Sequence, residues 1–158
     1  MSRGALFQRL AEAGRVVQIS APAGSGKTVL MGSWVAAAGL AEHVAWVPVD
    51  RPMRDPRLFW ISVADALRGT VAGSALVRPL TAAPDLTGWA VVERLLADLT
   101  PLERRLWLMI DDAHVLDAGE VLRQLELWSC ARRPSCGSSS RPGTICGWGC
   151  IGCGWSGS

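Results

Sequence analysis

The segment "APAGSGKT", residues 21–28, combines residue types that bind phosphate groups. Gly24 and Gly26 permit backbone conformations that turn several N–H groups toward one anion. Lys27 carries a positive charge that can reach the β- and γ-phosphates of a nucleotide, and the hydroxyl of Thr28 is a suitable Mg²⁺ ligand. The pattern therefore predicts a nucleotide-binding loop made of Ala21, Pro22, Ala23, Gly24, Ser25, Gly26, Lys27 and Thr28.

The sequence around this loop predicts the strand and helix that a phosphate-binding loop requires. The run "RVVQIS" at 15–20 predicts a buried strand before it, and "VLMGSWVAAAG" predicts a helix after it. Lys27 is the only lysine, against 15 arginines, so arginine serves wherever a cation alone suffices. A lysine here indicates a position that the planar guanidinium does not suit. The alternative is a glycine-rich turn with an incidental lysine, and Ala21 stands where many such motifs have glycine.

The segment "LMIDDAH", residues 108–114, predicts the acidic half of the same site. A carboxylate at the end of an apolar parallel strand lies at the carboxyl edge of the sheet, where ligands bind. Asp111 is predicted to hold Mg²⁺, and Asp112 to orient or deprotonate an attacking water as the catalytic acid-base group. The alternative is that both acids simply end a strand. His114 could sense the γ-phosphate, although a structural role in the loop is favoured.

Other side chains receive structural interpretations. Asp50 is expected to cap the turn after its strand, and a cluster of arginines before the next helix reads as a solvated face: Arg51, Arg54 and Arg57. The tryptophans that lie in apolar patterns are predicted to be core residues: Trp34, Trp46, Trp60, Trp89 and Trp107.

Predicted strands and helices alternate along the body of the chain. Further strands are expected at 43–50 and 106–112, and further helices at 56–68, 88–99 and 119–127, with a loop at 70–86. This alternation predicts an α/β fold with a largely parallel sheet flanked by helices. Asp55 is expected to cap the helix at 56–68, and Pro56 to occupy its first position. One apolar face of that helix is predicted to contain Phe59, Val63, Ala64 and Leu67. The net charge of +2 is too small to argue for a nucleic-acid or membrane surface. No membrane span or secretory signal is visible, so the cytoplasm is the expected location.

Three segments resemble the N-terminal domain of large ATP-binding LuxR-type transcriptional regulators, the MalT-like members of the STAND class of P-loop ATPases. They are "SAPAGSGKTVLMGSW", "VAWVPVDRPMRDPRLFWISVADALR" and "RLWLMIDDAHVL". The resemblance covers about residues 6–127. It implies a P-loop NTPase fold and the use of ATP and Mg²⁺ as a conformational switch. Gly24, Gly26, Lys27 and Thr28 would bind phosphates and metal, Asp111 would bind the metal, and Asp112 would be the hydrolytic acid.

The resemblance also limits the expected activity and partners. The enzyme is expected to be at most a weak Mg-dependent ATPase. Family members bind DNA and an inducer through later domains that this chain does not supply, so the expected partner here is the nucleotide. Two alternatives stay open. The chain could be a different P-loop ATPase or a kinase, or a fragment of a broken gene without activity.

The last 31 residues, 128–158, differ sharply in composition from the first 127. All five cysteines lie from residue 130 onward, where no acidic residue occurs. The spacing of Cys136, Cys146, Cys150 and Cys153 does not form paired C-x₂-C motifs, so no zinc site is expected. A disulfide framework conflicts with the expected cytoplasmic location.

A change of reading frame explains this tail better. If the codons of residues 145–155 end in G or C, one nucleotide of frame shift restores an Arg/Leu-rich sequence without cysteine. We therefore hypothesise that 1–127 is a partial ATP-binding domain and that 128–158 is frameshifted sequence without a fold of its own. A missing central strand would leave the fold incomplete at the C-terminus and, at best, marginally stable. A genuine cysteine-rich tail is the alternative.

Overall fold

Within the described residues, four parallel strands form one sheet: β1 (Val16–Ile19), β2 (Val44–Pro48), β3 (Leu106–Asp111) and β4 (Trp148–Cys153). The strands lie in the order β1-β4-β3-β2. The structure is a computed structural model that describes residues 3–12, 16–19, 24–80, 86–102, 105–113, 116, 119–130 and 148–153. These strands and their flanking helices confirm the predicted α/β class with a parallel sheet.

Helices connect and cover the strands. They are α1 (Arg3–Glu12), α2 (Lys27–Ala37), α3 (Pro56–Arg68), α4 (Val71–Leu76), α5 (Gly88–Asp98) and α6 (Glu120–Cys130), with 3₁₀ turns at Ala41–His43 and Arg51–Arg54. Helix α4 lies inside the segment that was expected to be a loop. The Thr70 hydroxyl caps it by accepting a hydrogen bond of 3.0 Å from the Gly73 N–H. Of the helices in the described ranges, none is both long and apolar enough to cross a membrane.

Strand β3 is buried on both faces and separates two apolar clusters. Leu106, Leu108 and Ile110 belong to the larger cluster, which also contains residues of α3, α5 and α6. Trp107 and Met109 belong to a smaller cluster with residues of α1 and α2. Burial on both faces explains why this strand is a continuous apolar run rather than an alternating one. The sheet is therefore the middle of three layers.

Helix α3 confirms the local predictions made for it. The Asp55 carboxylate accepts a hydrogen bond of 2.8 Å from the Arg57 N–H, as a helix cap does, and Pro56 begins the helix. The side chains expected on its apolar face are all buried: Phe59, Val63, Ala64 and Leu67. Of the tryptophans predicted to be core, Trp34, Trp60 and Trp107 are buried, Trp46 is half-buried and Trp89 is 37% exposed.

A buried carboxylate joins α5 to the segment after α4. Asp98 lies 2.6 Å from Arg78 Nη2 and also accepts a hydrogen bond of 3.1 Å from the Arg78 backbone N–H. Burial by itself raises the pKa of Asp98. The hydrogen bonds and charge of Arg78, together with the charge of Arg94, outweigh that effect and hold the pKa below its ordinary value. The ionised carboxylate therefore stabilises the folded state.

Residues beyond 127 contribute to both the core and the sheet. Trp128, in α6, is 3% exposed, and its ring lies 5.3 Å from that of Trp60, so the core continues past that boundary. Strand β4 lies between β1 and β3 and pairs with both. The expectation that the sheet lacks a central strand is therefore wrong. Pairing with β1 and β3 uses only the backbone N–H and C=O groups of β4, so it does not depend on which side chains the segment carries. The frameshift itself stays a hypothesis.

Candidate functional site

Residues 24–26 are the described part of the predicted loop, and they lead directly into α2. Gly24 and Gly26 adopt φ angles of 75° and 78°, in the left-handed region that glycine enters without a steric penalty. Gly26 immediately precedes α2, and its carbonyl accepts a hydrogen bond of 2.8 Å from the Leu30 N–H. Both glycines and Ser25 are exposed. The other predicted loop residues, Ala21, Pro22 and Ala23, lie outside the described residues.

The first turn of α2 is suited to an anion. The N–H groups of a first helical turn have no partners within the helix, and the helix dipole places partial positive charge there. Lys27 begins the helix and is half-buried. The first turn contains no acidic residue that would repel an anion. The backbone and Lys27 can therefore act together on one phosphate group.

The loop and the acidic strand meet through one hydrogen bond. Thr28 Oγ1 lies 2.7 Å from Asp111 Oδ2, although the two residues are 83 positions apart in the chain. An ionised carboxylate only accepts hydrogen bonds, so the Thr28 hydroxyl is the donor. Its proton is then directed at Asp111, and lone pairs of the Thr28 oxygen remain available. The two predicted Mg²⁺ ligands are thus in direct contact.

Asp111 is held by its neighbours on three sides. Asp111 is only 5% exposed. The second oxygen of its carboxylate, Oδ1, accepts a hydrogen bond of 3.0 Å from the Asp112 N–H. Its backbone carbonyl accepts a bond of 3.0 Å from the Val49 N–H, beyond the end of β2. Asp112 itself is exposed and has a φ angle of 55°. His114 lies outside the described residues.

Strand order determines how the two halves of the site approach each other. Strands β1 and β3 are separated by β4, so they lie about 9–10 Å apart, twice the spacing of neighbouring strands. The register pairs Ile19 with Cys153 and Ile110 with Gly152, so all three strands end at the same level. Asp111, which ends β3, therefore lies at the same carboxyl edge of the sheet as the end of β1.

Asp50 and the arginine cluster, the other polar residues singled out by the sequence, form no hydrogen bond with Thr28 or Asp111 in the described part of the chain. Asp50 precedes the 3₁₀ turn but makes no side-chain capping bond, and its carbonyl accepts the Met53 N–H at 3.1 Å instead. Its predicted side-chain cap is therefore wrong. Arg51 and Arg54 are exposed, and Arg57 is partly exposed. Within the described ranges, no three His, Cys, Asp or Glu residues cluster as metal ligands do.

Two features of the site escaped sequence reasoning. One is the left-handed backbone of Asp112, and the other is the strand β4 beside both halves of the site. The run "WGCIGC" contained a weak signal, because short apolar segments of this length are compatible with buried strands. Its glycines and the unusual composition of the surrounding tail obscured that signal. The left-handed backbone conformation of Asp112 could not be predicted from the sequence, because aspartate tolerates that conformation but does not require it.

Comparison with known proteins does not assign this chain to a family. No protein-family model matches the chain, and no curated protein matches it.

Proposed function

We propose that this chain binds Mg-ATP at the 21–28 loop and Asp111, and that it is a P-loop NTPase domain. The observation that carries the proposal is the hydrogen bond of 2.7 Å between Thr28 Oγ1 and Asp111 Oδ2. The sequence assigns both groups to one Mg²⁺ site from motifs that are far apart in the chain. If the loop and the acidic strand did not form one site, no contact between these two oxygens would be expected.

The donor chemistry fits a magnesium ion. A hydroxyl and a carboxylate are the hard oxygen ligands that Mg²⁺ prefers, and the ion usually completes its shell with water and phosphate oxygens. Adjacent ligands of an octahedral ion with bonds of about 2.1 Å lie about 3 Å apart. The observed separation of 2.7 Å needs only a small adjustment to reach that value. A bound ion would neutralise phosphate charge, beside the charge of Lys27.

Hydrolysis is proposed for Asp112 and is expected to be weak. Asp112 is exposed and directly follows Asp111. From this place its carboxylate could accept a proton from a water molecule near the nucleotide. The expected slow turnover would suit the use of ATP as a conformational switch. The resemblance to LuxR-type, MalT-like regulators supports that use, in which DNA and the inducer bind to other domains.

Nucleotide affinity and turnover test the proposal. Titration calorimetry with Mg-ATP should show binding by the wild type and a loss of at least about tenfold in Lys27→Ala, because one charge-assisted phosphate contact disappears. The matched control is Arg54→Ala, which removes an exposed cation from the 3₁₀ turn and should bind normally.

Each other outcome has a defined meaning. Equal binding by wild type and Lys27→Ala contradicts the phosphate-loop assignment. Rapid turnover, or transfer to an added acceptor, favours a different P-loop enzyme over a switch. If the folded wild type binds no nucleotide, the chain is an inactive fragment.

A further inference from the structure

Helix α2 and strand β3 meet along their length, not only where Thr28 contacts Asp111. The side chains of β3 alternate between two apolar clusters, and the cluster on the α2 side takes the alternate residues that lead up to Asp111. On α2, the members of that cluster follow Thr28 at three-residue intervals, so they lie along one side of the helix. The four buried members contributed by these two elements are Met31, Trp34, Trp107 and Met109.

The two tryptophans of this cluster join α2 to β3 at a distance from the metal-binding pair. Trp34 and Trp107 pack edge to face, with ring centroids 5.0 Å apart and an interplanar angle of 84°. The Arg105 guanidinium lies 4.1 Å from the centre of the Trp107 ring, so that ring has a second neighbour beside the start of its own strand. Protein interiors are densely packed, so a change in buried volume shifts the neighbouring elements. The size of this ring pair therefore affects how closely α2 approaches β3.

The proposed phosphate-binding groups belong to α2, whereas Asp111 belongs to β3. Lys27 and Thr28 are the first two residues of α2, and Gly26 directly precedes them. A change in the spacing of helix and strand would therefore separate the two proposed Mg²⁺ ligands but keep the phosphate contacts of α2 together. Because Mg²⁺ demands near-ideal octahedral geometry with short bonds, such a separation should weaken metal binding more than phosphate binding.

We infer that Trp34 and Trp107 are positioning residues that set the distance between Thr28 and Asp111, and thereby the metal-dependent part of nucleotide binding. This inference rests on the proposed Mg-nucleotide function. It assigns to the ring pair an effect on one component of binding. Tryptophans that only stabilise the fold would change the metal-dependent and metal-independent components together, or neither of them.

The test compares Trp34→Leu with Trp34→Phe, and Phe59→Leu is the matched control. Phe59 is also fully buried and also forms an edge-to-face pair, with Trp60 at 5.3 Å. It belongs to the larger cluster, on the other face of the sheet from α2. The measurement is the ATP dissociation constant with Mg²⁺ and with EDTA, and the ratio of the two isolates the metal-dependent part.

Trp34→Leu should lower this ratio about tenfold, because a small misplacement of one ligand is costly at a site with strict geometry. Its dissociation constant in EDTA should stay within about twofold of the wild type. Trp34→Phe keeps an aromatic ring in the pair and should retain most of the ratio. Phe59→Leu should keep the whole ratio even if its Tm falls as far. If Trp34→Leu does not fold, Trp34→Met removes less volume and should show a smaller loss of the same selective kind.

Three results would overturn the inference. Trp34→Leu could retain the ratio, it could weaken binding equally in Mg²⁺ and in EDTA, or Phe59→Leu could lower the ratio as much as Trp34→Leu does. The first would show that other contacts set the distance between the two ligands. The second and third would show a general effect of core packing.

If the wild type binds no nucleotide, the proposed function fails, but the positioning role is still measurable in unfolding. The energetic coupling between Thr28 and Asp111 should fall by at least about half in the Trp34→Leu background and persist in the Phe59→Leu background. Equal coupling in both backgrounds would refute the positioning role.

Discussion

Replacing Thr28 with valine removes one hydroxyl and almost no volume. The change leaves Asp111 Oδ2 without its partner at 2.7 Å, on a residue that is 5% exposed. Hydrogen bonds to charged groups contribute about 1.5–3 kcal/mol, and Thr28 is itself exposed, so water can replace part of the contact. We therefore expect a loss near the lower end, about 1.5 kcal/mol, with a fall in Tm of about 3–6 °C.

A double-mutant cycle converts this expectation into a test of the contact itself. The four proteins are the wild type, Thr28→Val, Asp111→Ala and the double variant, unfolded in urea without nucleotide. Residues in direct contact should show a coupling energy of about 1 kcal/mol or more, whereas independent sites add within about 0.5 kcal/mol. Coupling would establish that residues 83 positions apart meet in the folded chain.

Ser33→Ala is the matched control for the cycle. Ser33 also lies in α2, and its hydroxyl donates to the Val29 carbonyl at 2.7 Å within the helix. It should cost less than Thr28→Val and combine additively with Asp111→Ala. The reasoning is refuted if Thr28→Val costs no more than this control, or if the Thr28–Asp111 coupling stays within about 0.5 kcal/mol.

Two further predictions concern the parts of the fold that support the site. Asp98→Asn should destabilise the chain at pH 7. Because the folded-state pKa of Asp98 is depressed, the wild type's advantage should be complete above the unfolded pKa of about 3.9 and disappear as pH falls through the lower folded value. Urea unfolding from pH 7 to pH 3 measures it, and a constant difference would contradict the assignment. Ending the chain after Cys130 removes β4, the described partner of β1, so the thermal transition should broaden or disappear. An unchanged Tm would support the hypothesis of a tail without a structural role.

Much of the fold could be predicted because it depends on neighbouring residues. The Asp55–Pro56 helix start needs only a side chain two residues before the N–H that it caps, and that bond forms at 2.8 Å. The glycines of the loop adopt the left-handed conformation for which their lack of a Cβ suits them. Sequence patterns do not indicate helix α4, because its segment is short and has a loop-like composition, although Thr70 caps the helix in an ordinary way.

The position of β4 could not be predicted from its composition. A parallel strand is selected by the unpaired backbone groups on either side of it, and these belong to β1 and β3, far away in the chain. The cysteines of the tail and its lack of acids, on which the frameshift hypothesis rests, carry no information about backbone pairing. Trp128 was likewise assigned to the tail, although packing against Trp60 makes it a core residue.

The sequence by itself determined the residue types of the candidate site, the alternation of strands and helices, and the loop that precedes α2. These properties follow from local backbone preferences and from hydrophobic periodicity. Only the tertiary structure decided that Thr28 touches Asp111 and that β4 separates their strands. Each of these features depends on which distant segments pack together. The packing of distant segments is decided by the whole chain rather than by any short stretch of it.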